Sequence, residues 1–225
     1  MKRVPERNED MLRVENVSYR YEKTKDYVLK DVSAEFEKGR LYMITGKSGA
    51  GKSTFLSLLA GLDKVSGGKI YFKDRDLAEL DLDSYRAGDI GVVFQSFNLL
   101  KNRSAVENIL LSDRISGKKD SSEARALELL ERLGIPEKTA RRYVAHISGG
   151  EQQRVSIARA ISHDPEIVMA DEPTGNLDED NSREIMQIFK NLAHKEGKCV
   201  IVISHSDKMR DYADEVIRVE GKKVV

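Results

Sequence analysis

The chain has no tryptophan, one cysteine and four prolines among 225 residues. A single cysteine excludes an internal disulfide and any four-cysteine zinc site. Cys199 opens an apolar run, so it reads as a small core residue rather than a nucleophile. A charge excess is also missing, since 38 Lys plus Arg balance 38 Asp plus Glu. The basic surplus usual in sequence-independent nucleic-acid binders is therefore absent, which leaves room only for a local basic patch. Long apolar runs are lacking too. The longest, such as "FLSLLAGL", fall far short of the ~20 residues that cross a bilayer. The opening "MKRVPERNED" is polar, with no apolar segment after its basic start, so it does not read as a secretory signal. Residues 1–10 are expected to form a flexible leader, with Met11 a second candidate start. A chain soluble by itself is expected, reaching a membrane only through a partner.

What the chain does have is an alternation of strand and helix patterns. "LRVENVSYRY" and "YVLKDVSAEFE" alternate apolar and polar positions, as half-buried strands do. "RLYMIT" is a compact apolar run, followed by a helix-like "KSTFLSLLAGL" over Lys52 to Leu62. "KIYF" and "IGVVFQ" read as further strands. Residues 103–145 instead carry two helix-like stretches and no strand pattern. In "SSEARALELLERLG", Ala124, Ala126, Leu127, Leu129 and Leu130 crowd one side, Ser121 or Ser122 can cap, and the preceding "SGKKD" is expected to be a solvated turn. This stretch reads as a subdomain inserted in an α/β core. Strands then return in "EIVMAD" and "CVIVIS", the second apolar enough to be covered on both faces. Between them "NSREIMQIFKNLAHKEGK" spaces Ile185, Ile188, Phe189 and Leu192 as an amphipathic helix.

Two stretches carry chemistry. Gly46-Lys47-Ser48-Gly49-Ala50-Gly51-Lys52-Ser53 fits G-x-x-x-x-G-K-S between a strand and a helix, the arrangement of a phosphate-binding loop. Its glycines let backbone N–H groups close on phosphate oxygens, and the helix N-terminus adds partial positive charge. Lys52 is expected to reach the β- and γ-phosphates, Ser53 to ligate Mg²⁺, and Thr54 to touch the α-phosphate. In "IVMADEPTGNLD" an apolar strand delivers Asp171 to the sheet edge where open α/β sheets bind ligands. Asp171 would hold the Mg²⁺ shell, and Glu172 would polarise a water for in-line attack.

These stretches, with "ISGGEQQR" and "ISHS" in this order, resemble the ATP-binding-cassette ATPases over nearly the whole chain. The resemblance implies an α/β fold: a P-loop NTPase core with a mixed sheet, an N-terminal antiparallel β-subdomain, and an inserted α-helical subdomain near residues 96–162, all in one domain over residues 11–225. It implies that Tyr21 stacks on adenine, with Tyr19 and Tyr27 as competitors and core packing open for all three. It implies that Gln95 senses Mg²⁺ and the attacking water. Ser148, Gly149 and Gly150 would form a signature loop, Asp178 a loop that crosses between subunits, and His205 a switch that orients Glu172. His205 has support of its own, because it follows an apolar strand. His146, His163 and His194 do not share that placement, and the last two read as capping or solvated histidines.

The sequence departs from the family pattern at Ile147, Glu151 and Ser206, none of which removes a catalytic group. The branch it looks most like includes macrolide exporters, lipoprotein-release and antimicrobial-peptide-resistance systems. That implies a homodimer with ATP at its interface, a separately encoded transmembrane permease, a cytoplasmic position on the inner membrane face, and no nucleic-acid partner. Phe97, Leu99 and Leu100 either dock that permease or pack the helical subdomain. The alternatives are a cell-division ATPase acting through a membrane partner, a soluble cassette acting on DNA or ribosomes, and a scaffold that binds ATP without turnover.

Overall fold

The computed structural model describes residues 10–22 and 24–224. The leader expected over residues 1–10 lies outside the described residues except for Asp10, which opens the first strand. The strands are β1 Asp10–Tyr19, β2 Leu29–Glu37, β3 Leu41–Thr45, β4 Gly67–Phe72, β5 Arg75–Asp76, β6 Ile90–Val93, β7 Ile167–Asp171, β8 Cys199–Ile203, β9 Glu215–Glu220 and β10 Lys223–Val224. The helices are α1 Lys52–Leu59, α2 Leu82–Ser84, α3 Ala105–Ile115, α4 Glu123–Arg132, α5 Glu137–Ala140, α6 Gly149–Ile161 and α7 Glu179–His194.

The strands form two sheets. One is antiparallel, ordered β2-β1-β4-β5, and the other is ordered β10-β9-β3-β8-β7-β6 with only β10 antiparallel to its neighbour. This is the α/β mixed-sheet class expected from the motifs. A period of two holds over the second half of β2, where Val32 and Phe36 are buried, Ala34 is half-buried, and Ser33 and Glu35 face water; a bulge at left-handed Asp31, φ 51, shifts the register so that Leu29 is buried as well. The parallel strands differ, because every residue of β3 and β8 is buried. Their alternate residues feed two cores. Val200 and Val202 pack with α3, α4, α6 and α7, while Cys199, Ile201 and Ile203 pack with α1 and the antiparallel sheet. Continuous apolarity in "CVIVIS" thus serves both faces of one sheet.

Several local expectations are adjusted. The helix after the glycine loop stops at Leu59 rather than Leu62, because Gly61 turns left-handed at φ 62 and its N–H donates to the Leu58 carbonyl at 3.1 Å while the Leu62 N–H reaches back to the Ser57 carbonyl at 2.9 Å. In α4, Ser122 is the N-cap, and Ala126 and Leu130 are buried while Ala124 is exposed. "SGKKD" is not wholly solvated, since Lys118 Nζ donates to the Ser162 carbonyl at 2.9 Å and so ties the turn to the end of α6.

The contact between α6 and the sheet yields a test. A Cβ on Gly91 in β6 would lie 2.2 Å from the Ala160 carbonyl oxygen of α6. Gly91→Ala must therefore push helix and strand apart, and overpacking of this kind typically costs about 1–3 kcal/mol. Urea denaturation should show the midpoint falling, whereas unchanged stability would mean that the helix gives way freely.

Candidate functional site

The parallel registers bring the ends of four strands to one edge. Ile44 of β3 pairs with Ile203 of β8, Ile203 with Asp171 of β7, and Ala170 with Val93 of β6. The chain leaving those ends supplies Gly46, His205, Glu172 and Gln95. Residues as far apart in the sequence as Gly46 and His205 meet here because side-by-side parallel strands all finish together.

The glycine loop has a tight backbone. Gly46 adopts φ 148, and a Cβ there would lie 2.3 Å from the Val219 carbonyl oxygen of β9. Gly51 caps α1 at φ 99, with Val28 Cγ1 3.0 Å from where its Cβ would be. A side chain at Gly46 would have to move β9, and one at Gly51 would press on the Val28 and Leu29 side chains from a left-handed backbone. Lys52 opens α1 and is only 5% exposed. Its Nζ donates to the Gly46 and Lys47 carbonyls, each at 3.1 Å, which points the ammonium along the loop. Burial lowers its pKa, and the nearby charges of Glu172 and Asp171 oppose that shift. Ser53 is exposed on the first turn of α1, and Thr54 Oγ1 lies 3.0 Å from the Tyr21 hydroxyl.

A cavity of about 720 Å³ adjoins this loop. Tyr21, Tyr27 and the loop residues Ser48 to Ala50 line one part, and the β9–β10 turn with Arg218 and Lys222 lines another. The choice among tyrosines narrows accordingly. Tyr19 is a core residue at 7% exposure, whereas Tyr21 is half exposed and stands edge-on to it at 5.2 Å. Tyr21 and Tyr27 both reach the cavity.

On the other side of the edge, Asp171 Oδ1 is buried without a hydrogen-bond partner. An orphaned carboxylate oxygen at a strand end is expensive unless a cation or a cation-bound water meets it, so it fits a hard divalent ion such as Mg²⁺. Glu172 turns left-handed at φ 47, with its N–H donating to the Ile203 carbonyl at 3.0 Å. That turn directs the carboxylate to His205, whose Nε2 contacts Glu172 Oε1. The place a Cβ would take on Gly175 is 3.7 Å from Glu172 Oε2 and 3.6 Å from Gln95 Nε2, so the bare glycine keeps open a space shared by both.

The turn after Gln95 is held by an arginine that the sequence reading did not single out. Phe97 and Asn98 are consecutive left-handed residues, at φ 59 and φ 50. Arg159 of α6 donates to both of their carbonyls, at 3.1 Å and 2.5 Å, and its burial lowers its pKa. Leu99 packs against the helical core, while Leu100 stays 43% exposed, so the apolar triplet divides between packing and surface.

The signature loop lies apart from these walls, since none of the described residues lining either the loop cavity or the Glu172–His205 cavity belongs to Ser148–Gly150. Ser148 caps α6, with its Oγ accepting from Glu151 N–H at 3.3 Å while Glu151 Oε2 accepts from Ser148 N–H at 2.7 Å. Glu151 thus completes a capping box, and its charge is turned back on its own helix end. Asp178 is likewise engaged within its own helix. Its Oδ1 accepts from the Asn181 N–H at 2.8 Å and its Oδ2 from Asn181 Nδ2 at 2.7 Å, which caps α7 and lowers its pKa. Its carboxylate therefore has a local structural task beside the crossing between subunits expected of its loop. His163 Nε2 donates to the Ile90 carbonyl at 3.1 Å, and His194 pairs with Asp214 at 2.8 Å, so both are structural rather than merely solvated. Ser206 bonds through its backbone N–H to Ser204 Oγ at 3.1 Å. Arg218 of β9 and Lys222 of the β9–β10 turn had no sequence signal, because only the sheet order brings them to the loop.

Comparison with known proteins adds family and fold. The family description "ABC transporter" matches residues 29–175. The "uncharacterized ABC transporter ATP-binding protein YclH" of Bacillus subtilis is 42% identical, over 93% of this chain and 93% of that protein. The "lipoprotein-releasing system ATP-binding protein LolD" of Idiomarina loihiensis is 38% identical, over 95% and 94% of the two chains. Among solved structures, the dimeric post-hydrolysis state of the ATP-binding cassette MJ0796 bound to ADP and Pi superposes with a TM-score of 0.87 at 35% identity, covering 95% of this chain and 96% of the other. MJ0796 is from Methanocaldococcus jannaschii.

Proposed function

This chain belongs to the ABC transporter ATP-binding family, and we propose that it is a nucleotide-binding subunit that dimerises on ATP to drive a separately encoded membrane permease. As an ATPase of transporter type it binds ATP; the dimer, the permease and the cargo are the proposed parts. The observation that carries the reading is the split between the two phosphate-seeking helix ends. Lys52, Glu172, His205 and Gln95 gather at one sheet edge, while Ser148–Gly150 opens onto surface outside both cavities. One copy therefore holds two halves of different sites, and a second copy would complete each.

In this reading the backbone of Gly46 to Ser53 and the Lys52 ammonium hold the phosphates, with Thr54 at the α-phosphate and Tyr21 against the adenine. Ser53, Gln95 and Asp171 would hold Mg²⁺, which supplies charge neutralisation on the phosphate oxygens. Glu172 accepts the proton of the attacking water, and His205 holds that carboxylate through the contact to Oε1. The partner copy offers the Ser148 hydroxyl and the N–H groups of Gly149 and Gly150, with the α6 N-terminal dipole behind them, to the γ-phosphate. Asp178 sits at the crossing between copies. Catalysis is then positioning plus charge stabilisation, as phosphoryl transfer requires.

No described helix is long and apolar enough to cross a membrane. We place the chain in the cytoplasm, peripheral on the inner membrane face through its permease, with no nucleic-acid partner. The likeness to a lipoprotein-releasing ATPase supports export or extraction of a lipoprotein, drug or antimicrobial peptide. Exposed Leu100, close to Gln95 in the chain, is our candidate contact for the permease. Light scattering on the purified chain should give a monomer without nucleotide and a dimer with ATP. A tight dimer that ignores nucleotide would overturn the cycle.

A further inference from the structure

The two signature glycines have different surroundings. A Cβ on Gly149 would meet nothing within 4 Å, so that glycine faces open space. A Cβ on Gly150 would lie 2.7 Å from Asn181 Oδ1 and 3.2 Å from its Cγ. Gly150 is therefore packed under the amide of Asn181, a residue of α7. That amide cannot swing away at no cost. Its Nδ2 donates to Asp178 Oδ2 at 2.7 Å, its backbone N–H donates to Asp178 Oδ1 at 2.8 Å, and Arg154 Nη2 of α6 reaches its Oδ1 at 3.4 Å. The same Arg154 nitrogen pairs with Glu184 one helical turn further along α7. Asn181 thus joins the N-cap of α7 to the first turns of α6.

We infer that Asn181 is a positioning residue for the composite site. It fixes the phosphate-facing turn of the signature loop relative to Asp178, so that both present themselves to a second copy as one rigid unit. The need for glycine at position 150 then comes from Asn181 packing on its inner side, and position 149 is where a phosphate can approach. This rests on the two-copy reading above. Asn181 touches neither nucleotide nor water in it, and acts only through Gly150 and Asp178. A preset donor turn would lower the cost of closing the dimer, because the groups that meet the γ-phosphate need no reorganisation on contact.

The test is a double-mutant cycle between Gly150→Ala and Asn181→Ala in the full-length chain, with Asn181→Ser as a second way to remove the amide. ATP-driven dimerisation is read by analytical ultracentrifugation, turnover by phosphate release, and ATP affinity of the dilute monomer by fluorescence titration. Each single variant should weaken ATP-driven dimerisation by about ten-fold, as contacting residues in one network do, and the double variant should be no worse than Asn181→Ala alone. Monomer affinity for ATP should stay at the parent value, since each copy binds nucleotide on its own glycine loop; a general folding defect would lower it. Additive losses, or full dimerisation in both Asn181 variants, would overturn the inference while leaving the two-copy reading in place. A parent chain that forms no ATP-driven dimer would remove that reading and this inference with it.

Discussion

Glu172→Gln should collapse ATP hydrolysis by about 10²- to 10⁴-fold, the range a positioned general base supplies. Glutamine preserves the shape of the side chain, and its amide can still meet His205, but it has no carboxylate to take the proton from water. Nucleotide affinity should persist, because Lys52 and the loop backbone are untouched. Two consequences follow from removing chemistry without removing binding. Dimers formed on ATP should no longer be resolved by hydrolysis, so the variant should elute as a stable dimer with ATP and a monomer with ADP. The left-handed turn at Glu172 is held by its backbone N–H on the Ile203 carbonyl, which the substitution leaves in place, so the melting temperature should hardly change. Turnover equal to that of the parent would remove Glu172 from its assigned role.

Lys52→Met should lower ATP affinity by roughly 10- to 100-fold, the loss expected for a charge-assisted hydrogen bond to phosphate, and should abolish dimerisation with it. The ligand-free protein should behave differently. Burial is the leading influence on Lys52 and lowers its pKa, with Glu172 and Asp171 offsetting part of the shift. A lysine whose folded pKa lies below its unfolded value opposes folding while charged, and that penalty is relieved as pH rises through the folded pKa. Methionine removes the penalty at every pH. Thermal melts without nucleotide should therefore show the variant at least as stable as the parent at neutral pH, with the difference shrinking as pH rises through the Lys52 titration. A melt well below the parent would mean that the bonds from Lys52 to the Gly46 and Lys47 carbonyls outweigh the burial cost.

These two variants probe residues that stand out in the sequence, and the reason is physical. Gly46 to Ser53 is a continuous loop whose conformation and chemistry are both local. Asp171 and Glu172 end an apolar strand, and His205 follows another, so a period and a position suffice to place them at a sheet edge. The burial of β3 and β8 on both faces follows from apolarity without alternation. Glu151 shows the limit of such reasoning. Its charge beside a phosphate-binding turn posed a question in the sequence, and only its bond to the Ser148 N–H shows that it caps its own helix. Tyr19 and Tyr21 are two residues apart in one strand pattern, yet one is core and the other reaches the cavity.

The phosphate loop and the strand-end places of Asp171, Glu172 and His205 were legible in contiguous residues whose local geometry is constrained, and the mixed-sheet fold was legible through alternating patterns and the resemblance to a family. The tertiary structure alone decided which partners close the site. Val219 against Gly46, Arg159 under the turn after Gln95, and Asn181 over Gly150 are meetings between distant segments. No local periodicity encodes them, because they arise from strand order and from helix packing across the sheet.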